Sequence, residues 1–185
     1  MIRTATPADL PGIEQVMRAS MAALGAQFYD AAQTASAVRY IAVLDRQLVD
    51  DGTYYVVIED DRIVACGGWS RRAKLFTGTS AQDAIAGFVD PASDPARIRA
   101  MFVLPEYSRR GLGRLILATA ERDARALGFS RFELMATLPG VPLYRACGYE
   151  AVEEVTLELP DGTRVDCVRM AHGPGTQNAE RRTKN

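Results

Sequence analysis

Residues 98–117 read Ile-Arg-Ala-Met-Phe-Val-Leu-Pro-Glu-Tyr-Ser-Arg-Arg-Gly-Leu-Gly-Arg-Leu-Ile-Leu, an apolar strand that runs through a basic turn with two glycines into an amphipathic helix. This places a strand-turn-helix unit at the centre of the chain, and its turn is built to hold phosphates. Gly111 and Gly113 carry no Cβ, so the backbone can come close to a ligand. The first-turn amides of a helix beginning near Leu112 have no intrahelical acceptors and attract an anion. The helix dipole adds about 0.3–1 kcal/mol for such an anion, and Arg109, Arg110 and Arg114 can each contribute charge-assisted hydrogen bonds of about 1.5–3 kcal/mol.

Spacing separates the kinds of phosphate loop. A Rossmann fingerprint needs a third glycine three residues after the second, where this chain has Ile116. A Walker A loop ends in Gly-Lys-Ser/Thr, whereas Gly113 is followed by Arg114 and Leu115. Both nucleotide readings fail.

The stretch Ser108-Arg109-Arg110-Gly111-Leu112-Gly113 resembles the acyl-CoA pyrophosphate loop of the GNAT superfamily of N-acetyltransferases, whose pattern is Gln/Arg-x-x-Gly-x-Gly/Ala. Ser108 departs from the usual first residue, and the neighbouring arginines can compensate for the missing long donor. Taken alone, the six residues also fit a helix-capping turn with solvated arginines. A second element weighs against that: Pro142-Leu143-Tyr144-Arg145-Ala146-Cys147-Gly148-Tyr149 is similar to the family's Leu-Tyr-x-x-x-Gly-Phe/Tyr helix, and it follows in the right order after a helix and a strand. The resemblance spans Ile2 to about Met170.

The surrounding sequence reads as one enzyme-sized domain over residues 1–172 with a polar, mobile tail over 173–185. Its 185 residues suffice for a sizeable core, and 48% hydrophobic with 24% charged residues is ordinary for a globular chain. A formal net charge of −1 disfavours a nucleic-acid partner, so the arginine cluster calls for a local anion. Cys66, Cys147 and Cys167 lack Cys-x-x-Cys spacing, which points to reduced core thiols rather than zinc or disulfides, and no metal is expected. No apolar leader or span of about 18 apolar residues is present, so a cytoplasmic location with no membrane partner is expected.

Ile2–Thr4 reads as a strand. Thr6-Pro7 then starts a helix to about Leu24, with Leu10, Ile13, Val16 and Met17 at helical spacing. A second helical segment is expected over Asp30–Leu48. Tyr54–Ile58 and Ile63–Trp69 form a hairpin, with Gly67-Gly68 interrupting the second strand. The Gly-, Ser-, Asp- and Pro-rich Arg71–Ala96 is read as a flap near the acceptor. Leu112, Leu115, Ile116, Thr119, Ala120, Ala124 and Leu127 trace one side of the helix that Gly128 ends. Strands follow at Arg131–Ala136, Tyr149–Leu159 and Thr163–Met170, the last two joined at Asp161-Gly162.

The resemblance implies the GNAT α/β fold: a mixed central sheet of about six to seven strands, flanked by helices, with splayed middle strands. It implies acetyl-CoA as co-substrate, gripped by Arg109, Arg110, Gly111, Leu112, Gly113 and Arg114. The main chain of Met101, Phe102 and Val103 would pair with pantetheine, unless that strand is fully paired in the core. It implies Tyr144 as the acid for the departing thiolate, the alternative being an aromatic packed beside Leu143 and Tyr149. A backbone N–H of Phe102 or Met101 would polarise the thioester oxygen.

The expected activity is direct N-acetyl transfer to a primary amine of a small molecule or peptide, and a homodimer is compatible with the family. No general base is legible. His172 reads as a surface residue, Arg97 and Arg99 occupy the strand where some relatives carry Glu, and Thr137 stands where Asn is frequent. Arg99 either points into the acceptor cleft toward a substrate carboxylate or phosphate or faces solvent. Trp69 lies near the acceptor side or packs in the core. No histidine is placed to activate Cys147. A noncatalytic acyl-CoA-binding module is the competing reading.

Overall fold

The computed structural model describes residues 1–175 apart from 78, 80, 81, 83, 84 and 86. The last ten residues of the expected tail, 176–185, and part of the expected flap therefore lie outside the described residues.

Strand β1 (Ile2–Thr4) passes through a 3-10 turn at Pro7–Asp9 into helix α1 (Leu10–Gly25). Asp9 organises this start. Its carboxylate accepts from the Thr6 N–H at 2.7 Å, the Thr6 hydroxyl at 2.8 Å and two Arg3 nitrogens at 2.7 Å each. The hydrogen-bonded Arg3 guanidinium holds the Asp9 carboxyl well below the usual carboxylate range. A depressed pKa contributes stability that is present at neutral pH and is lost as pH falls through the ordinary carboxylate range and below. Asp9→Asn is expected to cost about 1 kcal/mol at neutral pH, since Arg3 is partly exposed. The difference should shrink progressively as pH falls below about 4, where the unfolded native chain takes up the proton that the folded Arg3–Asp9 pair still excludes. A melting temperature that differs by the same amount at both pH values would contradict this.

Ile13, Val16 and Met17 of α1 are fully buried, as their helical spacing demands. The expected second helix is broken in two: α2 (Ala31–Tyr40) and α3 (Arg46–Asp50). Asp30 caps the first through the Gln33 N–H at 2.8 Å, and Asp45 caps the second through the Gln47 N–H at 3.2 Å. Asp45 adopts extended backbone that a continuous helix would forbid, and Val43 in the break is exposed.

The remaining strands are β2 (Tyr54–Glu59), β3 (Arg62–Ser70), β4 (Ala96–Val103), β5 (Phe132–Thr137), β6 (Glu150–Glu158) and β7 (Arg164–His172). They form a seven-stranded sheet in the order β1-β2-β3-β4-β5-β7-β6. Every pairing is antiparallel except β4–β5. Asp60 and Asp61 turn the β2–β3 hairpin with φ of 48° and 57°, the left-handed pair that matches strand twist. Gly67-Gly68 does not interrupt β3; the strand runs through both, and the irregularity appears as a register shift against β4.

Helix α4 (Leu112–Ala126) covers one face of the sheet and α1 the other, while the short α5 (Val141–Ala146) follows β5. On α4 the buried arc runs through Leu112, Gly113, Ile116, Leu117, Thr119, Ala120 and Ala124. Leu115 and Leu127, read onto that arc from spacing, are exposed, and Leu117 takes the inward place. The mixed seven-stranded sheet with flanking helices and parted middle strands is the fold that the sequence implied.

Candidate functional site

β4 and β5 pair only at Ala96↔Phe132 and Arg97↔Glu133. From Ile98 onward they separate, and a bulge on β4 accompanies the separation. Cys66 faces Phe102 and Gly68 faces Arg99, so β4 has one more residue than β3 over this span, around Ala100 and Met101. Ala100 has φ +52°, a left-handed conformation rare for a residue with a Cβ, and its carbonyl accepts a hydrogen bond from the Tyr54 hydroxyl at 2.7 Å.

The gap opens into a cavity of about 180 Å³. One wall is residues 98–103 of β4, including Met101, Phe102 and Val103; the other is residues 135–137 of β5, ending in Thr137. Leu143 and Tyr144 of α5 close one side, and Met21, Leu24 and residues 75–77 of the expected flap close another.

The glycine turn lies where β4 runs on toward α4. Arg109 and Gly111 both have left-handed backbone, with φ of +63° and +83°. A Cβ at Gly111 would meet nothing within 4 Å, so its backbone faces open space. Leu115 N–H closes the first helical bond to the Gly111 carbonyl at 3.0 Å, which leaves the amides of Leu112, Gly113 and Arg114 without intrahelical partners. Arg109, Arg110 and Arg114 are exposed. Arg110 stacks over Tyr107 at 4.9 Å and reaches Glu59 at 3.4 Å, which holds it at the side of the turn. Gly113 has a second role, since its Cβ would come within 2.8 Å of Leu143; its bareness lets α5 dock on α4 beside the turn.

That docking places Tyr144. Its side chain is buried yet lines the cavity, and its ring lies 5.8 Å from that of Tyr149. Burial pushes the phenol above its ordinary pKa, so the hydroxyl keeps its proton at neutral pH. Burial also raises the Cys147 thiol, and Cys66 and Cys167 are pushed up to about 12. None of the three is a thiolate nucleophile at neutral pH.

Arg99 does not face solvent. Its side chain is 3% exposed, and it lies in the cavity wall, 3.0 Å from the Asp45 carboxylate and 3.0 Å from the Lys74 carbonyl. Lys74 Nζ approaches the same carboxylate at 3.4 Å. Burial pushes Asp45 up, but the Arg99 and Lys74 charges outweigh it and leave the pKa lowered. Trp69 belongs to the core: its indole N–H donates to the Tyr55 hydroxyl at 3.3 Å and its ring meets Phe129 edge-on, away from the cavity lining. His172, expected at the surface, is half-buried against the Phe132 and Tyr149 rings, with Nδ1 2.9 Å from the Gly148 carbonyl. No Asp, Glu or His is among the described residues that line the cavity. Nor does any group of three or more His, Cys, Asp or Glu among them suit a metal ion, and no helix among them is long and apolar enough to cross a membrane.

Asp45 and Tyr54 were missed by sequence reasoning. The Asp-Arg-Gln cap at residues 45–47 was a legible helix start that would have exposed the first; the second had no local signal.

The acetyltransferase (GNAT) family model matches residues 16–149. No curated protein matches the chain. Among solved structures, a GCN5-related N-acetyltransferase from Rhodopseudomonas palustris is similar with a TM-score of 0.72 and 18% identity, over 94% of this chain and 94% of that one. PaiA N-acetyltransferase from Thermoplasma acidophilum, solved in complex with coenzyme A, gives 0.62 and 14% over 94% and 98%. The ribosomal-protein-alanine N-acetyltransferase from Brucella melitensis gives 0.61 and 17% over 94% and 99%. At these identities the likeness is one of fold.

Proposed function

The chain belongs to the GNAT family of acetyltransferases, and from that premise we propose that it moves an acetyl group from acetyl-CoA directly to a primary amine of a small molecule or peptide. The observation that carries this reading is the position of the anion-holding turn, at the end of the strand that parts from its neighbour. A pyrophosphate on the amides of 111–114 lets the pantetheine arm run back along Val103, Phe102 and Met101, so the thioester ends at the bulge with Tyr144 alongside. Coenzyme A in the structurally similar PaiA enzyme supports the choice of donor.

In this reading the neutral amine attacks the thioester carbonyl carbon, forming the C–N bond and a tetrahedral oxyanion. A β4 backbone N–H stabilises that oxyanion. The C–S bond then breaks, and Tyr144 donates its proton to the sulfur. A thiolate is less basic than a buried phenolate, so full transfer is driven only when the new ammonium nitrogen gives up its proton in the same step and restores the phenol through solvent in the cavity. The raised thiol pKa values support direct transfer over an acyl-cysteine intermediate.

Because no carboxylate or imidazole among the described residues lines the cavity, the acceptor must arrive deprotonated or lose its proton to water. The pH profile of kcat/KM should therefore follow the acceptor's own amine pKa, shifting between two acceptors of different basicity. A profile fixed at one pKa near neutrality for both would reveal a side-chain base and contradict this.

The proposal is tested by free-thiol release from acetyl-CoA across a panel of primary amines. Sustained, amine-dependent release with an N-acetylated product supports it; silence across a broad panel, with acetyl-CoA bound, would favour a binding module instead.

A further inference from the structure

The bulge that marks the site is held by a residue two strands away. Tyr54 lies on β2 and faces Gly68 on β3. A Cβ at Gly68 would stand 3.0 Å from Tyr54 Cδ2, 2.9 Å from Tyr54 Cα and 2.2 Å from the Thr53 carbonyl oxygen. A Cβ at Gly67 would meet Met101 Cα at 3.1 Å. The paired glycines thus leave β3 bare where the Tyr54 ring crosses it and where the bulged strand comes close. Tyr54 is fully buried, does not line the cavity, and donates to the Ala100 carbonyl at 2.7 Å. Burial keeps its phenol protonated and so a donor.

A trans peptide is planar, with its C=O and N–H pointing in opposite directions. Fixing the Ala100 carbonyl toward Tyr54, on the β3 side, therefore turns the Met101 N–H away from it, toward the gap on the β5 side. Without that bond Ala100 has no side-chain reason to hold φ +52°, which costs a residue with a Cβ roughly 1–2 kcal/mol. We infer that Tyr54 is a positioning residue: by anchoring the Ala100 carbonyl across the two glycines, it aims the Met101 N–H at the thioester oxygen and selects Met101 over Phe102 as the oxyanion donor. The inference rests on the acetyl-CoA reading above.

The test uses acetyl-CoA labelled with 13C at the thioester carbonyl and infrared difference spectroscopy of the bound cofactor, so it needs no acceptor. In the native chain the carbonyl stretch should move to lower wavenumber on binding. In Tyr54→Phe, acetyl-CoA should still bind, because the pyrophosphate turn is untouched, but the shift should be largely lost. A Tyr54→Phe chain that binds and keeps the full shift overturns the role of Tyr54 while leaving the donor reading intact. A native chain that binds with no shift overturns both the inference and the oxyanion reading. Should Tyr54→Phe fail to fold, the comparison is made on Ala100→Gly, where glycine adopts φ +52° at little cost. There the single variant should retain the shift and the double variant should lose it; retention in both overturns the inference.

Discussion

Tyr144→Phe is expected to lower kcat by about 10²–10⁴-fold while changing the dissociation constant for acetyl-CoA by no more than about threefold. The size follows from the role. Tyr144 lines the cavity, and in the proposed mechanism its phenol supplies the proton that the departing sulfur needs, a contribution made as the C–S bond breaks and absent from the ground state. The same variant leaves the packing in place, since the ring still fills its buried site beside Tyr149. Steady-state kinetics with calorimetric binding separate the two quantities. A kcat within a few-fold of native would remove Tyr144 from the chemistry, and a parallel loss of affinity and melting temperature would make it a packing residue.

The second large effect is expected at the turn. Gly111 has φ +83° at the helix N-cap, and a valine there cannot adopt left-handed backbone without roughly 1–3 kcal/mol of strain. The turn is exposed and will rearrange rather than carry that strain, and with it go the aligned amides of residues 111–114. Losing two such bonds to a pyrophosphate, at about 1.5 kcal/mol each, corresponds to about a 100-fold weaker Kd for coenzyme A. Nothing within 4 Å surrounds a Cβ at this position, so the melting temperature of the free chain should move little. Gly111→Val with a native Kd would mean that the phosphates bind elsewhere.

What the sequence made legible was what local chemistry determines. A basic glycine turn between an apolar strand and a helix is written in adjacent residues, and so is the α5 helix with Tyr144; both stand where expected. The hairpins follow from Asp60-Asp61 and Asp161-Gly162. Features that depend on distant partners were not legible. The break between α2 and α3 leaves Asp45 free to meet Arg99, 54 residues away in sequence, and no spacing rule in either segment encodes that meeting. Arg99 was accordingly read as pointing into the acceptor cleft or facing solvent; it lines the cavity, and the ion pair that holds it there was not legible. The bulge at Ala100 is the clearest case. Alanine is an unexpected residue for left-handed backbone, and the Tyr54 hydroxyl that meets its carbonyl comes from two strands away. Periodicity misplaced Leu115 and Leu127 because the buried arc of α4 is set by where it lies on the sheet; the half-burial of His172, read as a surface residue after the last strand, depends on two aromatic rings from other elements.

Where the donor lies decides between these readings, and a crystal of the chain soaked with acetyl-CoA shows it. The pyrophosphate is expected on the amides of residues 111–114, the pantetheine arm between β4 and β5, and the thioester sulfur within hydrogen-bond reach of the Tyr144 hydroxyl. Donor density in any other part of the molecule, or β4 and β5 closed onto each other with the donor excluded, would contradict this placement.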